Sequence, residues 1–113
     1  MENNFSGVLL FQVKPDKLDE FEALIRIISS EQMHLAGYVD VKCVKRFFTF
    51  DEIGKPPREL TKIVKCVKYY AFWEFSTIDD YSKAMEWFFA NHEKQIQKLL
   101  IAPFDINSGY CVC

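Results

Sequence analysis

An α+β fold, with two helices laid on one face of a four-stranded antiparallel sheet, is predicted by three features of this sequence. Segments with strand and helix periodicity follow one another as β-α-β-β-α-β, the split βαβ or ferredoxin-like order. Each helical segment is apolar along one stripe only, so it covers one surface and leaves its other side to water. Finally, Lys62 to Phe75 (K-I-V-K-C-V-K-Y-Y-A-F-W-E-F) carries Ile, Val, Tyr, Phe and Trp at the density of a strand. Its odd positions include Ile63, Val67, Tyr69, Ala71, Trp73 and Phe75, and its even positions include Val64, Cys66, Tyr70 and Phe72. Alternate side chains of a strand point to opposite faces. This ribbon therefore needs apolar cover on both sides, and the chain's own helices supply one.

The elements follow in order. Phe5 to Val13 is the first strand, with Phe5, Leu9, Phe11 and Val13 on one face and Val8 and Leu10 on the other. Lys14-Pro15-Asp16 ends it, because proline removes a ladder donor and Asp can cap the helix that follows. Leu18 to about Ser30 is the first helix, since Leu18, Phe21, Leu24, Ile25 and Ile28 recur at three and four. Asp16, Asp19, Glu20 and Glu22 crowd its start, where carboxylates suit the positive dipole end. Leu35 can extend its stripe, and Gly37 is the stop.

Val39 to Phe50 is the second strand, with its apolar parity drifting across Lys45 to Phe48, where a bulge or twist fits. Asp51 to Thr61, with Gly54, Pro56 and Pro57, is a long loop before the third strand. If Phe50 pairs with Lys62, Cys43 lies opposite Tyr69 and Cys66 opposite Arg46. Ser76-Thr77-Ile78-Asp79-Asp80 offers a hydroxyl cap with carboxylates behind it. The second helix runs to about Leu100, with Ile78, Tyr81, Met85, Phe88, His92, Ile96 and Leu99 as its stripe, and Pro103 closes it. Ile106 to Val112 is the last strand.

The 113 residues are expected to form a single domain, residues 1–113, with a core large enough to need no staples. Half of them are hydrophobic, eleven are Phe, and the formal charge is -2, so no basic excess calls for nucleic acid. Met-Glu-Asn-Asn-Phe lacks the basic and apolar regions expected of a signal peptide, and no apolar run approaches a membrane span. The expectation is a soluble, cytoplasmic protein without a membrane partner, whose four Cys are thiols. Cys111 and Cys113 share a strand face, but no Cys-x-x-Cys pair or neighbouring His completes a metal set. No phosphate loop, no Ser-His-Asp order and no His-Glu-x-x-His motif is present.

His92 is the candidate for chemistry. It falls on the apolar stripe, four residues from both Phe88 and Ile96, so it is expected to face the sheet. A neutral imidazole there can carry a proton near neutral pH, or bind a metal or haem iron. A core histidine bonded to a tyrosine or a carbonyl would read the same way. His34, after the first helix, reads as a solvated loop-edge residue.

Four segments together resemble the dimeric α+β-barrel proteins, the group of antibiotic-biosynthesis monooxygenases and stress-responsive barrels. They are Phe11 to Phe21 (F-Q-V-K-P-D-K-L-D-E-F), Gly37-Tyr38-Val39, Phe72 to Tyr81 (F-W-E-F-S-T-I-D-D-Y) and Phe89-Ala90-Asn91-His92. The resemblance implies two sheets packed face to face about a two-fold axis, which supplies the second cover for Tyr69 to Phe75. It also implies a homodimer that holds a small apolar or aromatic molecule between sheet and helices, without cofactor or metal. The implied reaction is cofactor-independent oxygenation or acid-base chemistry of the cyclase or isomerase kind. Tyr69, Tyr70, Trp73, Tyr81 and Phe88 are candidate binding residues, with His92 as proton carrier and Tyr69, Tyr70, Tyr81 or Tyr110 as its partner. The alternatives are a non-catalytic dimeric sensor or stress protein and a haem-binding or haem-degrading protein. The last is weakened because Ser82 falls near the place of the group's helical Trp, and Asn3 and Asn4 precede the first strand.

Overall fold

The computed structural model describes residues 3–62 and 65–113. Strand β1 (Phe5–Val13) leads through a 3-10 turn (Pro15–Lys17) into α1 (Leu18–Gln32). Strand β2 (Tyr38–Lys45) follows, then two short strands, β3 (Phe48–Thr49) and β4 (Arg58–Glu59), then β5 (Val67–Phe75). Helices α2 (Ile78–Asn91) and α3 (Glu93–Lys98) precede the last strand, β6 (Asp105–Tyr110). The main sheet has the order β2-β5-β1-β6 with every pairing antiparallel, and β3 and β4 form a separate two-stranded ribbon. The predicted α+β architecture is the one observed.

The centre of the sheet is the β1–β5 pair, in unbroken register from Phe5 opposite Phe75 to Val13 opposite Val67. Both strands alternate strictly. Leu9, Phe11, Val13, Val67, Tyr69, Ala71, Trp73 and Phe75 are buried on the helix side. Against them α1 sets Phe21, Ile25, Ile28 and Gln32, and α2 sets Tyr81, Ala84 and Phe88. Each large apolar side chain so buried stabilises the fold by about 1.5–3 kcal/mol. Gln32 is the exception, fully buried with neither amide atom hydrogen-bonded among the described residues. On the other side of the sheet, Val8 stands opposite Phe72, and Leu10 opposite Tyr70, which also faces Val44. Phe72 and Val44 remain 41% and 44% exposed. This is the second apolar side of the ribbon, and no helix lies over it among the described residues.

Thr77 caps α2 as expected, its hydroxyl accepting from the Asp80 backbone N–H at 3.0 Å. Gly37 ends the turn after α1 with φ +76, a conformation that costs a side chain. Other boundaries differ from the sequence reading. Asp16 does not cap a helix but lies in the 3-10 turn, and α1 continues to Gln32. The second helix does not run unbroken to Leu100. His92 leaves helical geometry at φ -131, so α2 ends at Asn91 and α3 starts at Glu93.

The second strand leaves the main ladder near Arg46, where its parity drifts, and its remnant pairs with Arg58–Glu59 instead. Phe50 and Lys62 therefore do not set the register. Cys43 stands opposite Ala71, not Tyr69, and Arg46 donates its N–H to the Lys68 carbonyl at 2.9 Å, not across from Cys66. The last strand ends at Tyr110 rather than Val112. Ile63 and Val64, expected to open the third strand, lie outside the described residues.

Gly7 is needed for a close approach. It sits opposite Trp73, and a Cβ there would run into the ring of Tyr81, whose hydroxyl is 2.6 Å from Ser108 Oγ. Gly7→Ala is expected to cost about 1–3 kcal/mol through overpacking, read as a lower urea midpoint with an unchanged slope.

Candidate functional site

Helix α1 places a carboxylate near each end, and each engages a residue that the sequence nominated. Near the start, the Tyr69 hydroxyl donates to Glu22 Oε2 at 2.5 Å. Lys45 Nζ, from the neighbouring strand β2, lies 3.2 Å from the same oxygen, and Arg26 Nη2 lies 3.5 Å from Glu22 Oε1. Near the end, Glu31 Oε1 is 2.8 Å from His92 Nε2.

The first cluster closes one end of a cavity of about 500 Å³ between α1 and the β2 side of the sheet. Ile25 and Cys43 line it along with Glu22, Lys45 and Tyr69, and Ser29 and Ser30 contribute hydroxyls from the next turn of α1. The size is that of a small-ligand pocket. Its electrostatics suit binding. The Tyr69 hydrogen bond, aided by Lys45 and Arg26, holds the Glu22 carboxyl below its ordinary value against the opposing effect of burial. Burial and the same carboxylate push the Tyr69 phenol well above its ordinary value. Both groups move away from neutrality, so around pH 7 they stay a carboxylate and a phenol. An efficient acid or base needs a value close to the working pH. Cys43 is pushed up to about 11, by burial first and then by Glu22, so it is a thiol and a poor nucleophile at neutral pH.

The other nominated residues lie elsewhere. Trp73 and Phe88 are buried against each other, edge to face with ring centroids 5.1 Å apart. Tyr81 packs on Phe5 and over Gly7, and burial raises its hydroxyl above the usual phenol range. Tyr70 is on the opposite face of the sheet, and Tyr110 is exposed at its edge. His92 is 9% exposed, with its ring 5.2 Å from that of Trp87 and its Nδ1 buried without a partner among the described residues. It lies at the α2–α3 break, facing α1, and does not share a cavity with Tyr69 among those described. Haem does not fit these residues: Nε2 is held by Glu31, and Nδ1 is enclosed. Among the described residues no three His, Cys, Asp or Glu side chains converge as metal ligands. The four Cys are free, and Cys43 and Cys66 face opposite sides of the sheet.

Glu22, Glu31 and Lys45 were not singled out for chemistry in the sequence. Glu22 reads there as one of several acids favouring the helix start. The available signal was its position beside Phe21 and three before Ile25, at the margin of the buried stripe.

No protein-family model matches the chain, and no curated protein matches it. Solved structures do. SnoaB, a cofactor-independent oxygenase from Streptomyces nogalater, is similar at TM-score 0.69 and 14% identity, covering 98% of this chain and 95% of that one. The ActVA-Orf6 monooxygenase of Streptomyces coelicolor, in complex with the ligand nanaomycin D, gives TM-score 0.69 and 10% identity over 98% of this chain and 89% of that one. A de novo designed protein, Foldit4, gives TM-score 0.60 and 10% identity over 97% and 99% of the two chains. The chain therefore shares the fold of these structures. Because a designed protein shares it, the architecture alone carries no chemistry.

The Tyr69–Glu22 pair makes stability depend on pH at both extremes. Glu22, depressed from 4.5, stabilises the fold above that value, and the contribution is lost as pH falls through its lower folded value. Tyr69, raised from 10.0, stabilises below that value, and the contribution is lost as pH rises toward its higher folded value. Tyr69→Phe is expected to cost about 1.5–3 kcal/mol at neutral pH, the worth of a hydrogen bond to a charged group. It should also flatten both limbs of the melting-temperature-against-pH curve. Limbs identical to those of the parent would contradict this account.

Proposed function

We propose that this protein is a homodimeric small-molecule-binding α+β barrel of monooxygenase type, whose ligand is an apolar or aromatic molecule carrying a hydroxyl or carbonyl group. The observation that carries the reading is the cavity of about 500 Å³ under α1, where Ile25, Cys43 and the Tyr69 ring meet a polar rim of Glu22, Arg26, Ser29, Ser30 and Lys45. Apolar surface selects a ligand by shape, and placed polar groups orient it by hydrogen bonds. The ligand's oxygen would sit against Tyr69 and Lys45, its body against Ile25 and Cys43. SnoaB, by its description an oxygenase that needs no cofactor, supports the same class of chemistry here.

Pairing of two chains through the outer sheet face completes the reading. Val8, Leu10, Val44, Tyr70 and Phe72 form an apolar field there, bordered by Ser6 and Glu74 at one end, Gln12 and Lys68 at the other, Lys42 across from Phe72 on β2, and Asn107 and Asp105 across from Val8 and Leu10 on β6. Apolar area rimmed by polar groups is the usual anatomy of an association surface. Phe72→Lys, centred in that field and 41% exposed, should convert a dimer into the 13.3 kDa monomer in sedimentation equilibrium without lowering helix content. A parent chain that sediments as a monomer at micromolar concentration would remove the dimer from the proposal.

Ligand binding is tested by thermal shift with a panel of aromatic quinones that includes nanaomycin D, the molecule held by the ActVA-Orf6 monooxygenase. A stabilising shift is expected from at least one member and should disappear in Ser29→Trp, which fills the cavity. Shifts that survive Ser29→Trp would place the ligand elsewhere.

A second reading, in which His92 carries a proton, is favoured by the pairing of its Nε2 with Glu31, whose half-exposed carboxylate gives the buried ring a route to solvent. Given a substrate identified from the panel, His92→Gln should lower kcat by about 100-fold or more while leaving KM within a few-fold. An unchanged kcat would reduce His92 to a link between the two helices.

A further inference from the structure

A second cavity, of about 440 Å³, lies at the end of the sheet near the base of the β3–β4 ribbon. Arg46, Lys62, Lys65 and Lys68 line it, interleaved with Phe47, Leu60, Val67 and Ile101. No acidic side chain is among its described lining residues. None of the four cations is ion-paired among the described residues, although most cations on the sides of α1 and in the ribbon are. The clustering runs against the chain's formal charge of -2, so it is a local feature and not a reflection of composition.

The backbone holds two of these charges together. Lys45 pairs with Tyr69, and the hydrogen bond from Arg46 N–H to the Lys68 carbonyl continues that register by one step. Arg46 and Lys68 therefore stand opposite each other on the outer face of the sheet, with Gln12 on the far side of Lys68. Like charges directly opposite across a ladder destabilise it. Lys62 and Lys65 approach the same space from the segment before β5, so four positive groups surround one volume. The fold bears this repulsion at one end of its sheet, and an anion in the cavity would relieve it.

We propose that this cavity binds a small amphipathic anion, a carboxylate, sulfonate or phosphate ester on an apolar body. The charged end is held by Arg46, Lys62, Lys65 and Lys68, and the body lies along Phe47, Leu60 and Ile101. Guanidinium and ammonium groups make charge-assisted bonds to such oxygens, and Arg46 offers the two-pronged geometry that planar or tetrahedral oxyanions accept. The site shares no lining residue with the cavity under α1, and through Gln12 and Lys68 it borders the outer-face field proposed for pairing.

The test uses two fluorescent probes of nearly the same shape, 8-anilinonaphthalene-1-sulfonate and uncharged N-phenyl-1-naphthylamine, titrated against the full-length chain. The sulfonate is expected to bind saturably. In the double variant Lys62→Glu, Lys65→Glu, at two exposed positions outside the strands, its affinity should fall by about tenfold or more, while the neutral probe changes by less than about twofold. Arg46→Gln, on a separate segment, should give a loss of about three- to tenfold for the sulfonate alone. The difference in sulfonate affinity between the parent and the Lys62→Glu, Lys65→Glu variant should persist in a Ser29→Trp background, which separates failure here from failure of the first cavity. Sulfonate binding that does not saturate, that is indifferent to the basic substitutions, or that falls in step with the neutral probe overturns the proposal.

Discussion

The pairing of β1 with β5 fixes everything else in this molecule. Two nine-residue strands meet without a bulge, and their odd-numbered residues all turn to the same side. Slipping one strand by a single residue would carry Trp73, Phe75 and Tyr69 to the wrong face and expose the largest side chains of the core. Because the register is so heavily determined, the positions of α1 and α2 follow from it. Each helix has one apolar stripe, and only one face of the sheet offers Phe11, Trp73 and Phe75 for it to cover. Tyr69 is buried in the same row, but its hydroxyl reaches the margin, where α1 meets the β2 edge. That is where the core's apolar packing gives way to the Glu22 carboxylate and to a cavity.

Much of this was legible in the sequence because burial writes period-two and period-three-to-four patterns directly. The element order, the helix stripes, the Thr77 cap and the Gly37 turn were all readable, and so was the second apolar side of the third long strand. The junctions were not. Strand two was read through to Phe50 because Phe47, Phe48 and Phe50 look like strand residues, yet hydrophobicity does not say which partner a strand takes. Here Phe48 pairs locally in a ribbon with Glu59, and Phe50 pairs with no strand. The helix stripe passed through His92 without interruption, since spacing does not reveal a break that depends on the backbone of one residue. The site was only partly legible for a related reason. Tyr69 could be nominated from its own strand, but Glu22, Lys45 and Cys43 join it only through tertiary packing, and each reads locally as a surface charge or a strand filler.

Helix α1 ties two layers of the molecule together. Its acids near the two ends reach different layers, Glu22 down to the sheet and Glu31 across to the α2–α3 break. The cavity runs under the middle and later turns of α1, from Glu22 to Ser30, and Glu31 in its last turn holds the imidazole, so one helix carries contacts to both. The cation-lined volume takes no residue from α1; it is built by β1, β5, the segment before β5 and the chain just past β2.

Strand β6 has a further consequence. It borders β1 on one side and pairs with nothing on the other among the described residues, and all six of its residues are exposed. Its backbone donors and acceptors on that flank are open to any extended chain, and no proline or lysine guards them. If two copies met through the sheet's flat side, or through β6 alone, the contact would close after one partner, whereas β6 laid on the outer edge of β2 would repeat and lead toward filaments. Concentrated or partly melted samples would be drawn to the repeating route, and Asp105 is the one ionised side chain in the strand placed to oppose it.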